Sequence, residues 1–135
     1  MLLAEGGSHF GWAWVTLCVA LAIHVADEAL SDFLSIYNPA VRAIRARFPF
    51  LPLPTFTFPV WLGGLIAADL LLLALTPAAF RGAPGMRPAA VAFGIVMAGN
   101  GLLHLLGSVY MRRVMPGTWS APIILAAAIY LLMCV

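Results

Sequence analysis

Polar residues are spaced so widely along this chain that four apolar segments emerge when it is read with a spanning window of about nineteen residues. They run approximately from Phe10 to Leu30, Phe58 to Phe80, Pro88 to Met111 and Trp119 to Val135. The first three are long enough for a transmembrane helix, which needs about 20 predominantly apolar residues. The fourth is short for a full span and predicts little tilt or a local thinning of the bilayer. The expected fold is an all-α, four-transmembrane-helix bundle forming one integral membrane domain over residues 1–135.

Between the first two spans, Ser31 to Thr57 is apolar yet carries Pro39, Pro49, Pro52 and Pro54, which rule out one continuous helix. Asn38 followed by Pro39 predicts a helix start, with Asn as N-cap and a short helix from Pro39 to Arg47. Arg42 and Arg45 on one side of it point to the membrane interface. The Pro-rich remainder up to Pro59 reads as an extended connector, and the sharper expectation is a lid over a lipid-facing site.

Composition agrees with the pattern. Charged residues make up 9% of the 135 and hydrophobic ones 64%, with a mean hydropathy of +1.04, whereas a soluble domain carries roughly a quarter charged residues. That length leaves no room for a large extramembrane catalytic domain, so any chemistry sits among the helices. A net charge of +2 spread over loops makes no basic groove, which argues against nucleic acid and leaves membrane lipids as the expected partners.

The basic residues are all arginine, and their placement is uneven. Loop one holds Arg42, Arg45 and Arg47 and loop three holds Arg112 and Arg113, five on one face, against Arg81 and Arg87, two on the other. Short arginine-rich loops stay cytoplasmic, so loops one and three are expected inside and both termini outside. Met1 to Ser8 lacks a basic n-region, which predicts no cleavable signal and a retained first helix. Cys18 and Cys134 lie in apolar runs near opposite ends of the chain and read as small packing residues. His9, beside Phe10, Trp12 and Trp14, reads as part of an interfacial aromatic belt.

The candidate chemistry lies in the few polar residues inside the spans. An acid at a bilayer centre costs about 2.5–3.5 kcal/mol, so Asp27, Glu28 and Asp69 facing lipid together would cost on the order of 10 kcal/mol. They must face one another, water or an ion. His24, Asp27, Glu28 and Asp32 stand at offsets 0, +3, +4 and +8, one stripe of a helix, and Asn100, His104 and Ser108 at 0, +4 and +8 form another. The expected orientation puts both stripes in the cytoplasmic half of their helices, with Asp69 one to two turns deeper. Two histidines, an amide and up to four carboxylates thereby converge on one inward pocket.

These residues carry a resemblance. His24-Val-Ala-Asp27-Glu28, Asn100-Gly-Leu-Leu-His104 and Pro116-Gly117-Thr-Trp-Ser120 resemble the three signatures of the small bacterial integral-membrane family named for its His-x-x-Glu-Glu motif. In that family the second signature reads Asn-x-x-x-His, and the third is Pro-Gly followed shortly by Thr. Asp27 stands where the family's first Glu would be and Ser120 where its Thr would be; both keep the functional group, although the shorter Asp reaches less far. The resemblance spans nearly the whole chain and implies a membrane protein with a pocket, without naming a reaction.

Two imidazoles and one carboxylate from His24, Glu28 and His104 match an open catalytic zinc or iron site with a position left for water. Asp69 joins the candidate ligand set, and Asp27, Asp69 or Asn100 would orient ligands or take a proton. A dinuclear site ranks lower, because Gly101 stands where a Glu-x-x-His pair needs its acid. The metal-free counterpart is acid/base work by Glu28 and His24, whose spacing is also similar to that in sterol isomerases of the emopamil-binding type. Pro116-Gly117 reads as a turn launching the fourth span, with Thr118, Trp119 and Ser120 capping or anchoring it. Gly63, Gly64 and Gly94 read as close-packing points.

The reading these residues favour is a small intramembrane enzyme of the bacterial cytoplasmic membrane, acting on a lipidic or isoprenoid-like substrate. The alternatives are a proton-coupled small multidrug-type transporter or channel that uses Glu28 in a homo-oligomer, and a structural or assembly subunit.

Overall fold

The computed structural model describes the backbone of residues 2–135 and the side chains from His9 onward; the expectation for Met1 to Ser8 falls outside those side chains. Among the described residues every regular element is a helix and none is a strand: α1 (Leu2–Leu30), α2 (Leu34–Arg47), α3 (Phe58–Ala74), α4 (Thr76–Phe80), α5 (Met86–Met111) and α6 (Ala121–Met133). Three stretches are long and apolar enough to cross a membrane: His9–Leu30, Phe58–Phe80 and Met86–Met111. The chain thus has the build of a membrane protein. At 13 residues, α6 is about 20 Å long, against roughly 30 Å of hydrocarbon.

α1 touches α3, α4, α5 and α6, and α6, although shorter than the three spanning stretches, is packed on two sides. Ala121, Ile124, Ala127, Ala128 and Leu131 are all buried, because α6 lies against α5 on one side and α1 on the other. Glycines on α5 permit the approach. A Cβ at Gly94 would fall 2.7 Å from Leu132 Cγ, and one at Gly101 would fall 2.9 Å from the Ala121 carbonyl oxygen. Gly94 is therefore the close-packing point expected of it. Gly63 and Gly64 are not: a Cβ on either meets open space, because that face of α3 has no neighbour.

Against α1, α3 is held by a hydrogen bond from Trp14 Nε1 to the Leu72 carbonyl, 2.9 Å. Leu75 interrupts the run between α3 and α4, since Pro77 has no N–H to continue the ladder. Phe80 then lies over Gly11 and meets Trp12 edge to face, with ring centroids 5.4 Å apart, which ties α4 to α1.

The connector differs from the sequence expectation at its start. Asn38 does not cap a helix beginning at Pro39; α2 already begins at Leu34 and carries Pro39 inside it. The chain reverses at Ser31–Phe33 with Asp32 in the left-handed region at φ 58°, a conformation Asp tolerates better than most residues. The new helix can then start immediately, and Pro39 removes only one bond of an exposed second turn. Asn38 serves another end: its amide donates to the Phe56 carbonyl at 2.8 Å and accepts from the Phe56 N–H at 3.0 Å. That two-way clamp fixes the far end of the extended segment. Tyr37 donates to the Pro54 carbonyl beside it, 3.1 Å.

A candidate metal centre at the helix ends

The last two turns of α1, the second half of α5 and the loop before α6 meet at one end of the molecule. Glu28 stands on α1 one turn after His24, and both are buried. His104 is buried on α5, and its Nε2 lies 3.0 Å from Glu28 Oε1. His24 Nε2 lies 3.7 Å from the same oxygen and has no hydrogen-bond partner among the described residues. The two imidazole rings sit edge to face with centroids 4.7 Å apart.

The far side of each ring decides its tautomer. His104 Nδ1 is 2.7 Å from the Pro116 carbonyl oxygen, which can only accept, so His104 donates from Nδ1. His24 Nδ1 is 2.8 Å from Ser120 Oγ. Ser120 has one hydroxyl proton, and its shortest acceptor is the Asp27 carboxylate at 2.7 Å, which also takes the Ser120 backbone N–H at 2.9 Å. Ser120 Oγ therefore accepts from His24 Nδ1. Each histidine thus has its Nδ1 engaged on the far side of the ring and turns its Nε2 toward one carboxylate oxygen.

Two ring nitrogens turned on one carboxylate oxygen are held favourably by a cation or a proton between them. The candidate ligand atoms of His24, Glu28 and His104 all lie within 4.8 Å of one another. In a tetrahedral zinc site, bonds of roughly 2.0–2.2 Å put ligand atoms about 3.3–3.6 Å apart, and the contacts of 3.0 and 3.7 Å bracket that spacing. The Nδ1 hydrogen bonds are of the kind that orient metal-ligating histidines, one to a backbone carbonyl and one relayed through a hydroxyl to a carboxylate.

The loop between α5 and α6 is shaped around this cluster. Gly117 has φ +83°, and a Cβ there would come within 2.7 Å of His104 Cε1 and 3.0 Å of Glu28 Cγ. Ser108 shares the α5 stripe with His104 but faces this loop instead, bonding Thr118 Oγ1 at 2.6 Å and accepting the Met115 N–H at 3.0 Å. The three sequence signatures are thus one spatial unit: two histidines and a glutamate in front, with the Pro116–Ser120 turn behind them.

A family model, described as "Protein of unknown function with HXXEE motif", matches residues 14–131. The chain belongs to this family. No curated protein and no solved structure matches it. This HXXEE protein carries Asp27 at the first acidic position of the motif, and there the carboxylate reaches Ser120, not the histidine–glutamate cluster.

Not every polar residue on the predicted stripes arrives at the cluster. Asp32 follows the end of α1 and is exposed, its carbonyl accepting from Ser35. Asp69 is buried on α3 but lines a separate cavity of ≈ 220 Å³ with Ala22, Val25 and Leu65 of the neighbouring turns, and its Oδ1 has no hydrogen-bond partner among the described residues. It is outside the His24, Glu28 and His104 group. Asn100 is half-buried and shares with Glu28 the wall of a ≈ 470 Å³ cavity. Ser120 was expected as a cap and makes no side-chain cap bond; the third signature was the only sign in the sequence that it belongs with the site.

Proposed function

We propose that this HXXEE protein is a small intramembrane metalloenzyme, with His24, Glu28 and His104 holding one divalent zinc or iron ion and a lipidic molecule as substrate. One observation carries this reading: two imidazoles, each with its Nδ1 engaged by a hydrogen-bond partner, direct their Nε2 atoms at a single buried carboxylate oxygen. An ion held there would supply Lewis acidity in a dry setting. The chain's own residues do the rest: Asp27 and Ser120 hold His24 in its tautomer, the Pro116 carbonyl does the same for His104, and Asn100 stands beside Glu28 to receive a polar group. In this reading the protein lies in the bacterial cytoplasmic membrane with four spans, α6 among them, loops one and three inside and both termini outside.

The test is metal quantification on protein purified without chelators, for wild type beside His24→Ala and His104→Ala. About one ion per chain in wild type and a loss of at least tenfold in both variants is the expected result. Wild-type protein with no stoichiometric metal ends the metalloenzyme reading.

A second reading is favoured by the 3.0 Å contact between His104 Nε2 and Glu28 Oε1. Without a metal, the two atoms must share a proton, and a buried proton site on a span is what a proton-coupled exporter requires. Proton flux in vesicles that is abolished in Glu28→Gln, from metal-free protein, would select it.

A further inference from the structure

The cavity that reaches Glu28 lies between α3 and α5, two helices with little mutual contact. Its walls are Phe33, Trp61 and Leu65 on one side and Met97 and Leu103 on the other. Glu28 and Asn100 are its only charged or amide side chains, and none of the seven arginines reaches it. Trp61 stacks on Phe33 at 5.8 Å, and Phe33 lies 5.6 Å from His104, so an aromatic wall leads directly to the cluster. A Cβ added at Gly99, on the α5 wall, meets open space.

These features fix the chemistry of what enters. Apolar walls suit an aliphatic or prenyl chain, and a volume of ≈ 470 Å³ is in the range of a single drug-sized ligand or one such chain. Glu28 is the one charged side chain on the cavity wall, so with no ion on it a phosphate or carboxylate head would meet a like charge and no arginine. A hydroxyl fits: it donates to Glu28 or to the Asn100 carbonyl and accepts from the Asn100 amide.

We infer that the α3–α5 cleft admits a single-chain, uncharged lipid alcohol sideways from the bilayer, its hydroxyl held between Asn100 and Glu28. The inference rests on the reading of the cluster as a reaction centre, but binding in the cleft does not need the metal. The larger apolar groove between α1 and α6 near Trp12 and Tyr130 has no acid, histidine or arginine in its lining.

The experiment uses the full chain in nanodiscs and three diazirine probes: a prenyl alcohol, its monophosphate and a diacyl phosphatidylcholine. Cross-linked residues are mapped by mass spectrometry with and without chelator. The alcohol should label the Trp61 to Leu65 and Met97 to Leu103 peptides, and unlabelled alcohol should compete at least tenfold better than the monophosphate. Gly99→Leu and, independently, Val96→Phe, both on the α5 wall of the cavity, should each cut this labelling tenfold or more, while Gly63→Leu, on the open face of α3, should leave it unchanged. Equal or better labelling of the cleft by the monophosphate or the phosphatidylcholine overturns the inference, as does labelling by the alcohol that neither cleft-filling variant reduces. Cleft labelling by metal-free wild type would sustain this inference while ending the metalloenzyme reading; bound metal with no cleft labelling would do the reverse.

Discussion

At the scale of single residues, the cluster depends on what stands behind each histidine. Ser120→Ala deprives His24 Nδ1 of its acceptor and leaves a buried donor unsatisfied, at a cost of about 1–3 kcal/mol. Loss of such an orienting partner typically weakens metal binding 10–100-fold. Competitive metal titration should show a drop of that size in Ser120→Ala and near-wild-type affinity in Ser120→Thr, which keeps the hydroxyl. Asp69 supplies the contrast. Because it lies outside the group of three candidate ligands, Asp69→Asn should retain full metal stoichiometry, whereas Glu28→Gln should lose it; the same assay decides both.

His24, Glu28 and His104 could be read as one site from sequence because four-residue offsets on apolar helices define a face without any tertiary information. The rotation of α3 about its own axis relative to α1 could not be read, so Asp69 was assigned to the same pocket from depth alone. Asp32 was assigned by extending a helical period past a chain reversal that an aspartate at φ 58° makes possible. Asp27 and Ser120 are 93 positions apart, and no local pattern relates them.

At the scale of elements, close approach is concentrated at a few glycines. Gly117→Ala places a methyl group against His104 and Glu28 at a backbone φ that favours glycine, so it should abolish metal binding even where the protein still inserts. Gly101→Val should push α6 away from α5, since the nearest atom to a new Cβ is a backbone oxygen that cannot yield without moving the helix. Gly63→Ala has open space and a helical position, where replacing glycine is worth up to about 1 kcal/mol. Unfolding midpoints in detergent should therefore fall for Gly101→Val and hold or rise for Gly63→Ala. The Asn38 clamp belongs to the same scale: Asn38→Ala releases both bonds to Phe56, and limited proteolysis should then cut the connector between Phe48 and Thr57 faster than in wild type.

At the scale of the whole molecule, the arginine distribution and the site's position make a joint prediction. The cluster is built from the end of α1, the later turns of α5 and the loop before α6, so it lies on the same side as loops one and three, which carry five of the seven arginines. With Cys18 and Cys134 replaced by alanine, a single cysteine at Arg47 or Arg113 should be shielded from an impermeant maleimide in intact cells, and one at Arg81 should be labelled. The opposite pattern would invert the proposed topology and place the metal centre on the outer side.

The sequence alone determined that the chain is helical, that three of its segments can cross a bilayer, and that two histidines and a glutamate share helix faces near the same depth. Those properties follow from local periodicity and from the cost of charge in hydrocarbon, both of which are properties of a segment by itself. Only the tertiary structure decided which acid meets the histidines, which group stands behind each ring, and that a cleft between α3 and α5 opens onto Glu28. The reason is that helix rotation and spacing are set where helices touch. Here that happens at Gly94, at Gly101 and at the Gly117 turn, through long-range packing that no single segment encodes.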